Sequence, residues 1–569
     1  MGIQKLIASS FLLIGLCTVM CAQQPAPTPK KTDEPVTNGV IDGRVVNESG
    51  QAMSGATVFV RAANSSGGRT TTADIEGNFR MSGLEPALYT VSATAPAYTM
   101  VVSSADPFTP TYHRLGDTVR IEMVRGGAIT GTVTNGLGEP VVAVRVRATM
   151  IRDARGEGAK QLAYITSEQP TDDRGIYRIY GLRPGTYIVS AGGSGFAYAF
   201  NPFDQDLPTY APSSTRDTAA EVLVRSGEDS NIDIRYRGEP GHTISGTVKV
   251  AGTSGSSVAL AQAGSAIPVG NTYQPDGARG FTFTGLGDGD YDIVAQELAS
   301  NPNATTTPVF SVSDPKRVSV KGADVTGVEL STKPLSSISG KIALEPSKVP
   351  ECQGKRPPLF AEMLVRLQKP ETEKDKEDML TLRFLAASAS PDANGAFQLR
   401  NLVAGKYQFE PRFYARYWYL ESITTTGTPK PQKFDAAANW MTVKSGEQLS
   451  NLTITLAQGA ASIRGRVVAQ EGAPVSAMAL YLVPAEPDKT NDVLRYFVSG
   501  VGEDMTFTFN NLPPGRYLTY IDTQTTTLKK FRQPEAAPER LKVRRNAETK
   551  KNEIELKPCQ NLTDYKLKP

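Results

Sequence analysis

The chain has 569 residues, 61 Lys and Arg against 58 Asp and Glu, a formal charge of +3 and only two histidines. That length exceeds what one hydrophobic core serves and points to several domains. Balanced charge without a basic stripe argues against nucleic acid as a partner, and two histidines leave little room for His-dependent catalysis or zinc chemistry.

Residues 1–21 open with Lys5 and continue as an apolar run from Leu6 to Met20. A small-residue site follows near Val19–Cys21 or Cys21–Ala22, the pattern of a secretory signal peptide too short for a stable membrane span. A lipid anchor at Cys21 is the competing reading. Thr18-Val-Met20 fits the lipoprotein processing box poorly, so ordinary cleavage is preferred. Residues 22–39 are rich in Pro, Gln and Thr and predict an extended linker. No later stretch approaches eighteen consecutive apolar residues, so no transmembrane span is expected in the mature chain, which is read as exported to the periplasm, cell surface or medium.

From there one phrase is written five times: an aromatic, a large apolar residue two later, a Leu three after that and a Tyr five beyond the Leu. The copies are Phe79/Met81/Leu84/Tyr89, Tyr177/Ile179/Leu182/Tyr187, Phe281/Phe283/Leu286/Tyr291, Phe397/Leu399/Leu402/Tyr407 and Phe507/Phe509/Leu512/Tyr517. Gly43, Gly131, Gly246, Gly340 and Gly465 open the copies upstream, so the repeat is a whole domain. Tyr177 and Ile179 alternate with Arg178 and Tyr180, the period of a half-buried strand. Leu182-Arg-Pro-Gly185 supplies a tight reversal, and Thr186-Tyr-Ile-Val189 leaves it as the next strand. In Ala143–Thr149, Val144, Val146 and Ala148 alternate inward against Arg145, Arg147 and Thr149. Capped helical stripes are nearly absent after the first twenty residues, while 51 Gly and 39 Pro punctuate short β-branched runs. The predicted class is all-β, a tandem array of about five β-sandwich domains after a signal peptide. The expected boundaries are 40–126, 127–239, 240–335, 336–458 and 459–558, with 559–569 as a tail.

The unit Gly131-Thr-Val, Gly138-Glu-Pro140, Thr171-Asp-Asp-Arg-Gly-Ile-Tyr177 and Gly-Leu-Arg-Pro-Gly-Thr-Tyr187 resembles the carboxypeptidase regulatory-like domain. Repeat one matches it best, through Gly43-Arg-Val, Gly50-Gln-Ala, Gly55-Ala-Thr-Val58 and Asp74-Ile-Glu-Gly-Asn-Phe79. The resemblance implies a prealbumin-like, Ig-like sandwich of seven strands, grouped with carbohydrate-binding-like and collagen-adhesin modules. It marks a fold rather than an activity. Repeats three and five depart from the pattern, with Arg279 and Met505 where a Gly precedes the aromatic, and repeat four carries an insertion after Ile342.

The family name invites a metallocarboxypeptidase, but neither His113 nor His242 begins a His-x-x-Glu, and both read as linker residues. Asp172/Asp173 and Asp288/Asp290 are carboxylate pairs at turns, where Asp caps its own backbone. Asp74-Ile-Glu-Gly-Asn78 lacks the glycine placement of a calcium loop. No catalytic residue, cofactor or metal is expected, and a two-carboxylate hydrolase is a distant third reading.

Aromatic side chains are the remaining binding candidates. Tyr417, Trp418 and Tyr419 lie in one run, with Trp440 nearby, and Phe200 and Phe203 stand with Phe196, Tyr198 and Tyr210 in a Gly/Pro loop. They serve either as stacking faces for a ligand or as core and interdomain contacts. Cys352 and Cys559 either pair or stay unpaired, and the unpaired state is preferred because Cys559 falls beyond the last expected strand. Joints such as Val119–Val133 are short and predict a semi-rigid series of modules. The functional expectation is a non-enzymatic exported spacer and binding array for carbohydrate or another surface polymer. An accessory subunit or adhesin binding a cell-envelope protein is the alternative.

Overall fold

The five copies of the phrase build five versions of one strand pattern. The computed structural model describes residues 39–567, apart from 64, 66, 102–110, 155, 157, 159–165, 194–200, 251–254, 264–267, 276, 278, 298–310, 371–387, 427–432, 469–477, 503 and 523–527. The expected signal peptide, nearly all of the linker and Cys21 lie outside the described residues.

In every repeat the opening strand sits between the aromatic strand, antiparallel to it, and the repeat's closing strand, parallel to it. In repeat one Gly39–Asn47 lies between Asn78–Leu84 and Thr118–Arg125. In repeat two Gly127–Thr134 lies between Ile176–Leu182 and the short strands Asp229–Asn231 and Ile234–Arg235. Repeat three uses His242–Lys249, Gly280–Leu286 and Val325–Pro334, and repeat four uses Ser336–Glu345, Ala396–Leu402 and Gln448–Gln458. Repeat five closes with Ala461–Val467 between Thr506–Leu512 and Asn561–Leu567. Residues 559–569, expected as a tail, therefore contain a core strand, with Leu567 buried.

A second sheet faces the first in each repeat, built around the strand that carries the phrase's Tyr. Repeat two shows the pattern: Arg145–Asp153 pairs with Thr166–Pro170 and Gly185–Ala191. In repeat three Ser311–Ser313 bridges Gly289–Glu297 to Val325–Pro334 and joins the two sheets. Side chains from both sheets interdigitate as the period-two pattern requires: Val144, Val146 and Ala148 meet Ile129, Tyr177 and Ile179 in one buried cluster.

The phrase has a physical cause. A Cβ on Gly43 would overlap the Val119 carbonyl oxygen and lie 2.8 Å from Phe79 Cζ. Gly131, Gly246, Gly340 and Gly465 stand in the same place against Ile232, Val328, Leu452 and Tyr565, each under the aromatic of its own repeat. The ring fills the volume a side chain would take. The phrase's Tyr is equally regular: its hydroxyl donates to the carbonyl four residues back, Tyr89 to Glu85 (2.6 Å), Tyr187 to Arg183 (2.9 Å), Tyr291 to Gly287 (2.8 Å), Tyr407 to Val403 (2.7 Å) and Tyr517 to Pro513 (2.9 Å). These are tyrosine corners, pinning the turn that links the two sheets. Burial pushes the phenols of Tyr89, Tyr187, Tyr291 and Tyr517 above their ordinary pKa, Tyr291 to about 12. Tyr407→Phe removes one such bond without changing the packed volume, so a loss of about 1 kcal/mol is expected in denaturant unfolding.

One element was not expected. The helix Ala537–Lys550 packs on repeat five, burying Arg540, Val543, Arg544 and Ala547. That face has helical spacing, but two of its four members are arginines, so no apolar stripe is visible in the sequence. Arg540 donates to the carbonyls of Phe531 and Gln533 (both 2.7 Å), and Arg544 to that of Pro484 (2.9 Å). The basic run 540–545 is thus half structural. Arg532 is partly buried as well, and burial lowers its pKa to about 10.

Candidate functional site

The aromatic run of repeat four is a domain joint. Trp418 begins the strand Trp418–Thr426, is 2% exposed and belongs to the repeat-four core. Its indole Nε1 is buried and finds no hydrogen-bond partner among the described residues. Trp418 therefore offers no stacking face, which corrects its candidacy. Tyr417 is half-buried, with the Lys355 ammonium 4.8 Å and the Arg416 guanidinium 5.6 Å from its ring centre, and its carbonyl accepts from Gly459 and Ala460 at the joint. Tyr419 is half-buried, and burial followed by Glu421 pushes its phenol up. From repeat five, the Asn511 carboxamide donates to both Ala415 and Trp418 carbonyls at 2.7 Å. Trp440 donates to Glu535 at 2.6 Å.

Cys352 and Cys559 are disulfide-bonded across the same joint, with Cα atoms 5.4 Å apart. The expectation of unpaired thiols fails for a topological reason. Cys559 precedes the closing strand rather than following it, and that strand runs parallel to the opening one, so its start lies where repeat four hands over to repeat five. Cys559 N–H donates to Gly459 O, and Gln458 Nε2 to Cys352 O. The double variant Cys352→Ser/Cys559→Ser is expected to lose about 2–4 kcal/mol from the unfolding of repeats four and five, read by calorimetry against the oxidised wild type, while the reduced wild type should melt like the variant.

Repeats one and four also touch: Arg114 Nη1 donates to the Tyr414 carbonyl at 3.4 Å and its guanidinium lies 5.4 Å from the Tyr414 ring centre. Non-consecutive modules thus meet, which a simple series does not provide.

The second aromatic cluster leads to a cleft of about 450 Å³ between repeats two and three. Phe196, Tyr198 and Phe200 lie outside the described residues. Phe203 is half-buried and packs edge-on to Tyr236, centroids 5.6 Å apart, so it holds the loop rather than facing a ligand. The loop is rigidly built. Asn201 caps the 3-10 turn Pro202–Gln205 reciprocally with Asp204, and the Tyr236 hydroxyl donates to Asp206 (2.7 Å). Gly241 N–H donates to Gln205 O (3.0 Å), Leu207 N–H to Glu239 O (2.7 Å) and Thr284 Oγ1 to Asp204 O (3.3 Å). Gly285, at φ 69°, approaches so closely that a Cβ there would sit 2.5 Å from Asp204 O. The repeat-three turn Leu286–Gly289 is docked on repeat two by this approach.

Tyr210, Arg216, Asp217, His242, Asp288 and Tyr291 stand among the cleft's lining residues. Arg147 is committed to Glu168 (3.0 Å) and the Gly193 carbonyl (2.8 Å), and Arg237 to Glu239 (2.6 Å). His242, expected in a linker, begins a strand and lies 3.7 Å from Asp288 and 3.8 Å from Asp324. The Arg216 guanidinium makes no hydrogen bond or ion pair among the described residues, and Tyr210 is half-buried. The cleft therefore presents one uncommitted guanidinium, carboxylate acceptors and a phenol, a set suited to binding polar hydroxylated ligands. Sequence reasoning singled out only Tyr210 as a binding candidate; it read His242 as a linker residue, Asp288 as a turn cap and Tyr291 as a member of the repeated phrase, and it missed Arg216 and Asp217, because the lining is assembled from two repeats.

The turn carboxylates do structural work. Asp74, Asp172 and Asp392 each accept two backbone N–H groups of their own turn. The Arg174 guanidinium bonded to Asp172 holds that carboxyl below the usual range. Among the described residues no group of three or more His, Cys, Asp or Glu is placed to hold a metal ion.

Comparison with protein families matches residues 40–112 to the carboxypeptidase regulatory-like domain. Over these residues the first repeat is similar to that family. Its Gly43 under Phe79 and its Tyr89 corner recur in the four repeats that follow. No curated protein matches the chain. Among solved structures, the minor pilin GBS52 of Streptococcus agalactiae aligns at 12% identity over 36% of this chain and 97% of its own, with a TM-score of 0.19. The shaft pilin SpaA of Lactobacillus rhamnosus GG aligns at 11% over 35% and 98%, TM-score 0.17. The Bacillus anthracis TIE protein aligns at 9% over 93% and 74%, TM-score 0.14. Identities and scores this low carry nothing about ligand or activity. No described helix is long and apolar enough to cross a membrane.

Proposed function

We propose that this chain is an exported, non-enzymatic array of β-sandwich repeats that spaces and binds, with carbohydrate or another surface polymer as ligand, held in the cleft between repeats two and three. The cleft carries the reading: about 450 Å³ accommodates a sugar ring or two, and the uncommitted Arg216, the Asp217 and Asp288 carboxylates and the Tyr210 ring match the hydroxyls and apolar faces of a sugar. The disulfide supports an oxidising compartment. Retention on an array of neutral oligosaccharides tests it. Arg216→Ala is expected to reduce retention roughly tenfold, the scale of one charge-assisted hydrogen bond, while Tyr180→Ala, on an exposed face outside the cleft, leaves it unchanged. Absence of retention on every glycan removes the carbohydrate reading.

An accessory subunit or adhesin that binds an envelope protein is the second reading. The edge strand Arg69–Thr72 favours it: among the described residues it pairs on one side only, with Thr57–Ala62, and three of its four residues are exposed. Recovery of one stoichiometric protein partner from the native envelope supports this reading over the first.

A further inference from the structure

Repeat five differs from the other four in one respect that the proposed cleft does not use. Its first sheet, Thr506–Leu512, Ala461–Val467 and Asn561–Leu567, turns a polar face outward, and Arg416 of repeat four overhangs that face. Together they line a hollow of about 320 Å³ formed by Arg416, Arg464, Ser462, Thr508, Asn510, Asn561, Thr563 and one apolar residue, Ile463. Among the described residues no carboxylate lines it.

The position before the opening glycine, where Arg464 stands, is Asp42, Thr130, Ser245 and Ser339 in the other repeats. An outward arginine on this sheet has a partner in repeat two, where Arg178 is bonded to Asp229 at 2.6 Å. Arg464 is exposed, and its guanidinium has no hydrogen bond or ion pair among the described residues. Arg416 is exposed too, and its guanidinium lies 5.6 Å from the Tyr417 ring centre, a contact that limits its freedom while leaving its N–H edge open. Ser462 Oγ donates to Asn561 Oδ1 at 2.7 Å, which fixes the Asn561 carboxamide with its N–H group as a remaining donor.

We infer that this face is a second binding site, selective for a polysaccharide that carries carboxylate or sulfate groups. Two unneutralised guanidiniums flank a row of hydroxyl and carboxamide side chains. Guanidinium forks take a carboxylate or sulfate two bonds at a time, and the exposed row of Thr508, Asn510, Asn561 and Thr563 matches the hydroxyls between successive acidic groups. The face is an open sheet rather than an enclosed pocket, so it fits a segment of polymer better than a single sugar.

Affinity electrophoresis of the full chain in gels containing polygalacturonate, dextran sulfate or neutral dextran tests the inference. Both acidic polymers should retard the wild type and neutral dextran should not. The double variant Arg416→Gln/Arg464→Gln should bind the acidic polymers roughly tenfold more weakly or worse, as two charge-assisted contacts are lost. Both side chains are exposed, and an unchanged melting temperature will show that folding is intact. Retardation that the double variant retains, or none in the wild type, overturns the site. So does equal, Arg464-dependent binding to anionic phospholipid vesicles or single-stranded DNA, which would reduce it to a general anion surface. The cleft variant Arg216→Ala should retain polygalacturonate binding, so the two sites fail independently.

Discussion

Gly43→Ala is expected to destabilise repeat one by about 3 kcal/mol or more, because the added methyl overlaps the Val119 carbonyl and meets Phe79 at 2.8 Å. The opening and closing strands are hydrogen-bonded neighbours here and the ring lies over them, so neither side can give way without breaking the sheet. A domain of this size has a total stability of only about 5–15 kcal/mol, so its calorimetric transition should move well below those of the other repeats. Gly136→Ala is the matched control: nothing lies within 4 Å of its Cβ position, and a change within about 0.5 kcal/mol is expected. A Gly43→Ala protein that melts like the wild type would show that the glycine–aromatic pair does not carry the repeat.

Trp418→Ala is expected to cost repeat four about 3–5 kcal/mol, the price of emptying a buried indole site in a packed core. The loss should appear in thermal unfolding, and glycan retention per folded molecule should not change. Trp418→Phe separates shape from polarity. The indole N–H has no partner among the described residues, so most of the stability should be recovered with an aromatic that lacks it. Loss of glycan binding in a Trp418→Phe protein that melts normally would return this strand to the list of ligand surfaces.

The two cases mark how far local pattern reaches. Alternation identified the strands because a half-buried strand exposes every second side chain, and the Gly, aromatic and Tyr spacing identified the repeat because each member has a partner inside its own repeat. The aromatic run 417–419 was legible as a special segment but not as a joint. Its partners, Asn511, Gly459 and the disulfide, belong to or lead into repeat five, beyond any local window. The helix Ala537–Lys550 escaped notice because arginines stand where a stripe would be apolar.

The amino-acid order alone determined the all-β class, the fivefold repeat, the turn role of Asp74 and Asp172 and the scarcity of histidine chemistry, since each rests on contacts a few residues apart or within one repeat. The tertiary structure decided the Cys352–Cys559 pairing, the burial of Trp418, the cleft between repeats two and three and the unneutralised arginines of repeat five. The parallel pairing of first and last strands brings together residues about a hundred positions apart, and no periodicity in the chain encodes which of them meet.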